Sequence, residues 1–342
     1  MAQLTRRDAL VGAAALGASA LLASPVRAAG KELRMFTWEG YADADWVKEF
    51  EAKQSCKVNV AYAGSVDEMF AKMSGSKGAD FDIVAVDTSS IPRYIAAGLL
   101  KPLDVAKIPN AANLMPDFKS VPILQKDGAS FGLPFAWGSL GLIYDTEYFK
   151  GKEPTSWATL WDPALEGRMI ALDDANNNIV TAALYMGIKD PYNLTAEQFA
   201  QVKAKLIEQK KLLVSYYAGF DDGVEIWKKN KIVAMFAMGE IQAKKMQDQK
   251  MPVKYIIPKE SAVGWLDCLL LSAGAKEADL AHAWFDFVLE KKIGTAMTEK
   301  FNYGNTTNTV TGMDYAKSLS WLQPPEDFNK RVNLWNEVKA AI

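Results

Sequence analysis

Alternating strand and helix signals over residues 33–97 narrow the fold of this chain more than any other feature. Residues 33–36 read as a short apolar strand, and Asp43 is placed to cap a helix whose apolar side carries Val47 and Phe50. Residues 57–62 read as a second strand, 65–73 as a helix bearing Val66, Met69, Phe70 and Met73, and 82–86 as a third strand. A short helix over 91–97 stops at Gly98. This alternation predicts an α/β fold with a parallel, doubly wound sheet. Ligands of such sheets sit beyond the carboxyl ends of the strands, where Thr37-Trp38-Glu39-Gly40-Tyr41 and Asp87-Thr88-Ser89-Ser90 fall. Two aromatic faces and a carboxylate at such a rim suit a cation. The competing reading of Trp38 is a strand-end indole tucked into the core.

Residues 1–28 read as an export leader. Thr5-Arg6-Arg7-Asp8 precedes an apolar run rich in Ala and Gly, followed by Pro25 and Val26-Arg27-Ala28 with small residues at cleavage spacing. The order is of the twin-arginine type, with cleavage expected near Ala28 and a periplasmic destination for the mature chain. No later run approaches the roughly twenty apolar residues of a membrane span, so no direct membrane insertion is expected. Loss of Arg6, Arg7, Asp8 and Arg27 moves the net charge from −2 to about −4. Mild acidity without a basic run argues against a nucleic-acid partner and is compatible with a small cationic one.

The remaining length accommodates two lobes, each with its own core. Residues 131–144 run without a helical period and carry glycines, as a strand leaving one lobe for the other would. The second lobe is expected to contain strands at 168–172, 212–215, 232–238 and 255–257, with helices from Ile179, over 195–208, over 221–229 and over 241–249. Residues 263–271 form another apolar run long enough to cross between lobes, 282–289 a helix, 302–308 a loop and 328–341 a terminal amphipathic helix. The expected division is 29–138 plus 267–311 for the first lobe and 139–266 plus 312–342 for the second. The hinge would then lie near 137–142, 264–269 and 309–314.

Catalytic signals are sparse. The single histidine, His282, sits mid-helix among Ala281, Trp284 and Phe285 and reads as a packing residue, with no second histidine to share a metal. Cys56 and Cys268 both fall in strand-like apolar runs, where a buried free thiol is the commoner state. No nucleophile-elbow, P-loop or dinucleotide-binding pattern is present. Asp173-Asp174 and Asp267 could form an acid–base pair of glycosidase type, although neighbours at a strand end point in different directions and one of that pair is expected to face the cleft. Tyr216-Tyr217 could bind ferric iron, but such a site is expected after the next strand, at residues 237–240. No enzyme activity, cofactor or metal is expected.

Taken in order, Trp38 and Tyr41, Phe81-Asp82-Ile83-Val84, Pro134-Phe135-Ala136-Trp137-Gly138, Thr155-Ser156-Trp157-Ala158-Thr159-Leu160-Trp161, Asp173-Asp174-Ala175 and Trp265-Leu266-Asp267 resemble the periplasmic spermidine/putrescine-binding proteins of ABC importers. The resemblance implies a type II periplasmic binding protein, two lobes joined by a hinge of several crossings, that closes on a cationic amine and presents it as a monomer to an inner-membrane permease. It implies cleft aromatics at Trp38, Tyr41, Trp265 and Tyr303, and amine-pairing carboxylates at Asp174 and Asp267. Asp87 and Ser89 stand where spermidine binders carry a serine and a tyrosine. The acid expected before Tyr41 is Gly40, with Glu39 one place earlier and Asp87 as a substitute; a family glutamate is Asn177 and a cleft tryptophan is Ala237. These departures leave the choice open among putrescine, spermidine and other amines.

Overall fold

The computed structural model describes residues 31–309 and 314–341; the expected leader and its cleavage site lie outside the described residues. Strand Glu32–Thr37 pairs in parallel with Lys57–Tyr62 on one side and Ile83–Asp87 on the other. Helices Ala44–Gln54 and Val66–Gly75 make the connections. Asp43 caps the first by accepting from the amide of Asp45, and Ser65 caps the second by accepting from Glu68, so both helices start where the side-chain acceptors stand. The first helix buries Trp46 and Phe50, and Phe50 lies edge-on to Trp284 at 5.0 Å in the core.

The sheet is not wholly parallel. Strand Ala262–Ser272 runs antiparallel to Ile83–Asp87, and Leu133–Leu140 antiparallel to Ala262–Ser272, with Gly304–Asn305 at the edge. Ala262–Ser272 enters from the end at which the parallel strands finish, which forces the opposite direction. It pairs with the first sheet from Ala262 to Ser272.

A second sheet places Met169–Leu172 between Leu213–Tyr217 and Ala234–Phe236, all parallel, adds Leu142–Asp145 antiparallel to Ala234–Phe236, and ends on Val253–Ile256 antiparallel to Leu142–Asp145. Leu133–Leu140 and Leu142–Asp145 are one run of chain shared by both sheets and broken at Gly141. A β-carbon there would meet the carbonyl oxygen of Ile256 at 2.4 Å, so only hydrogen fits.

The buried carboxylate of Glu240 ties the segments that pass between the sheets. It accepts from the amide of Ser139 at 3.0 Å and from the hydroxyl of Tyr315 at 2.5 Å. The Tyr255 hydroxyl donates to the Ser139 carbonyl at 2.9 Å. Burial raises the Glu240 carboxyl, while the serine and tyrosine hydroxyls oppose the rise.

Several boundaries move from expectation. The helix expected from Ile179 begins at Ala175, because Asp174 accepts from the amide of Asn177 and so makes an asparagine run tolerable as a first turn. Cys56 precedes its strand instead of lying within it; both cysteines are free and buried. Helix Lys291–Phe301 has no counterpart in the sequence reading. Residues 310–313, within the expected third crossing, lie outside the described residues.

Asp82 is the fully buried polar anchor of the first sheet. It accepts from the amide of Arg34 at 2.9 Å, from its guanidinium at 2.8 and 3.0 Å, and from the amides of Lys276 and Glu277. Burial alone would raise its carboxyl, but the Arg34 and backbone donors outweigh that and hold it below the usual range. Asp82→Ala should therefore cost roughly 3 kcal/mol, seen as a lower urea midpoint. Because the folded carboxyl titrates below the unfolded one, the Asp82 contribution is full above about pH 4 and fades as pH falls. The gap between wild type and variant should narrow in acid.

Candidate functional site

One cavity of about 880 Å³ opens where the parallel strands of both sheets end, the position ligands take in open α/β sheets. From the first sheet it is bordered by Trp38, Glu39 and Tyr41 after the first strand, Asp87 and Ser89 at the end of the third, and Trp265, Asp267 and Tyr303. Asp174 and Asn177 border it from the second sheet. Every residue proposed from the sequence thus reaches the same space, although residues as distant as Trp38 and Tyr303 supply it.

Strand geometry explains the placement of the key pair. Trp265 and Asp267 are two residues apart, so both project to one face. Asp267 lies directly opposite Asp87 in the antiparallel register, and Trp265 directly opposite Gly138. A β-carbon on Gly138 would fall 2.4 Å from the Trp265 ring, so the glycine gives the indole a flat seat. Tyr303 meets Trp265 edge-on at 5.4 Å and Tyr41 at 5.7 Å, building a continuous aromatic wall.

Three carboxylates face the cavity without a cation. Asp87 accepts from the amide of Ser89 at 2.8 Å, from the Ser89 hydroxyl, and from the Ser90 hydroxyl at 3.0 Å. Asp267 accepts from the Tyr41 hydroxyl at 2.6 Å. Asp174 accepts from the amide of Asn177 at 2.7 Å. No described lysine, arginine or histidine forms an ion pair with any of them. Burial, then the charge of Asp87, push Asp267 up to about 8 against the Tyr41 hydrogen bond. Burial also pushes Asp174 up to about 6, partly offset by the Asn177 amide.

The remaining expected residues are differently employed. Glu39 borders the cavity but pairs with Lys245 at 3.0 Å, so its charge is already matched. Gly40 sits at φ +90° against Tyr303, a backbone that disfavours any acid in its place. Ala237 is buried and the cavity is met by Met238 instead. Asp173 is held by Lys339 at 2.9 Å and by Trp335 at 2.7 Å. Tyr217 gives its hydroxyl to the Phe236 carbonyl at 2.7 Å and Tyr216 packs on Trp335, so neither points to a shared metal. His282 bridges the Asp104 amide and the Ala278 carbonyl, a structural role.

Two arginines that border the cavity escaped the sequence reading. Arg93 lies 4.3 Å over the Phe70 ring and 5.1 Å over that of Phe328, closing one side of the mouth. Arg331 is buried and neutralised by Glu326 at 2.7 Å. Neither stands in a pattern that would mark it, because each is defined by partners distant in sequence. Gly138→Ala should lift the Trp265 indole from its seat at an overpacking cost of about 1–3 kcal/mol. The checks are a lower melting temperature and a red-shifted, more quenchable tryptophan emission.

Comparison with known proteins places this architecture. Residues 45–318 match the model of the bacterial extracellular solute-binding protein family. The spermidine/putrescine-binding periplasmic protein 1 of Haemophilus influenzae is 28% identical over 326 residues, covering 94% of this chain and 88% of its own. The putrescine/cadaverine-binding protein of Pseudomonas aeruginosa is 25% identical, covering 91% and 94%. Among solved structures, a putative spermidine/putrescine ABC transporter protein from Listeria monocytogenes superposes with a TM-score of 0.79 at 22% identity, over 90% of this chain and 99% of its own. The fold is that of the type II periplasmic binding proteins. No described helix is long and apolar enough to cross a membrane. With most of its length matched, the chain belongs to the bacterial extracellular solute-binding proteins, a family of solute binders rather than enzymes.

Proposed function

We propose that this chain captures a diamine or polyamine in the periplasm by closing two lobes around it, and delivers it as a monomer to an ABC permease. The observation that carries this reading is the set of three carboxylates, Asp87, Asp174 and Asp267, that face one cavity from both sheets and form no ion pair among the described residues. Burying such charge is costly unless a cation arrives to meet it. An ammonium would find carboxylates for its N–H donors and indole and phenol faces for its charge. The names of the relatives, spermidine/putrescine-binding and putrescine/cadaverine-binding, support the same ligand class.

In this reading the first lobe is built on the sheet containing Glu32–Thr37 and keeps the whole of Ala262–Ser272, so the lobes exchange chain near Gly141 and between Ile256 and Ala262. Ligand contacts from both lobes favour the closed arrangement, as a population shift requires. At the rim, Glu39 of the first lobe and Lys245 of the second would help hold it.

Putrescine, cadaverine and spermidine titrated into the mature protein should bind with micromolar or better affinity, read by calorimetry and tryptophan fluorescence. An absence of heat and of spectral change with all three would end the proposal. Asp174→Asn isolates the charge, because asparagine caps helices as well as aspartate does. The variant should fold normally yet bind about tenfold to a hundredfold more weakly, the worth of one charge-assisted hydrogen bond.

A further inference from the structure

The opposition of Asp87 and Asp267 has consequences for what leaves the site when an amine enters. Residues directly opposite in an antiparallel pair project side by side on one face, so the two carboxyl groups are neighbours at the floor of the cavity. Both are nearly inaccessible to solvent, at 6% and 8% exposure. Two such groups without a cation cannot both stay ionised cheaply. Resting on the amine-binding reading above, we propose that Asp87 and Asp267 hold one proton between them in the empty cleft, and that amine capture expels it to solvent.

The hydrogen bonds decide which group carries the proton. Asp87 accepts three donors, the Ser89 amide and the Ser89 and Ser90 hydroxyls. Asp267 accepts only the Tyr41 hydroxyl, on Oδ2, so its other oxygen has no described donor. The shared proton therefore resides on Asp267. The groups facing it from the surrounding elements do not remove it. Tyr41 keeps its own proton because burial raises the phenol, and burial likewise raises Tyr303. Strand Leu133–Leu140 offers Ala136 opposite Asp267, and Cys268 is a buried thiol raised by burial. Across the cavity, Asp174 adds negative charge, Glu39 is matched by Lys245, and Arg93 is engaged by Asp67 at 3.3 Å. On binding, the Asp267 O–H bond breaks, the proton passes to water, and the resulting carboxylate accepts an N–H of the ammonium.

Calorimetry of putrescine binding to the full mature chain at pH 7, repeated in buffers of different ionisation enthalpy, counts the protons. With Asp267 protonated in the empty cleft, a proton release approaching one per amine bound is expected. The apparent Kd should fall as pH rises from 6 and level off once Asp267 is ionised in the empty cleft. Asp174→Asn, though a weaker binder, should keep the proton count, whereas Asp87→Asn should lower it by relieving the repulsion. Binding with no dependence on buffer overturns the inference and leaves the amine-binding reading intact. Should no amine bind, that reading fails separately, and infrared spectra of the unliganded protein at pH 7 decide the question. A protonated-carboxyl band that vanishes in folded Asp267→Asn supports the shared proton, and its absence in the wild type overturns it.

Discussion

Strand Ala262–Ser272 and its register are what the rest of the site depends on. It lies at the centre of the first sheet, held by Ile83–Asp87 on one side and Leu133–Leu140 on the other. A slip of one residue would turn Trp265 and Asp267 to the opposite face and separate Asp267 from Asp87. Such a slip would also move Trp265 off Gly138, where no other residue leaves room for the ring. The geometry of the acidic floor and of its aromatic wall is thus one decision, made by the pairing of buried strands.

That decision stores unfavourable electrostatics in the empty cleft. Asp87 and Asp267 repel, and Asp174 faces them from the second sheet without a cation of its own. The fold tolerates this because its own stability is secured elsewhere. Asp82 is met by the Arg34 guanidinium and by backbone amides, and Glu240 accepts from Ser139 and Tyr315 between the sheets. Asp82 has an arginine to meet its charge, whereas the cavity carboxylates have no described cation paired to them. A cationic guest supplies what is missing, and in a dry cleft its hydrogen bonds gain from the low local dielectric.

Much of this was legible before any coordinates. The alternation of strand and helix, the cap at Asp43, and the strand ends at Trp38 and Asp87 are local signals, set by periodicity and by a side chain that bonds its own backbone. The helix after Asp174 was read four residues late because three consecutive asparagines look like a loop until their cap is seen. The antiparallel strands within the sheets were not foreseen, since direction depends on the end from which a returning chain enters.

The amino-acid order by itself determined the alternating α/β architecture, the supply of acids and aromatics at strand ends, and the family resemblance, because each rests on residues near one another or on an ordered set of short motifs. Only the tertiary structure decided which acids are free. Glu39 and Asp173 are as acidic in sequence as Asp87 and Asp267, yet Lys245 and Lys339 neutralise them. It also set Asp267 against Asp87 across roughly half the length of the chain, and brought Arg93 to the mouth against Phe328. Charge compensation is a property of distance in space, and distance along the chain carries no record of it.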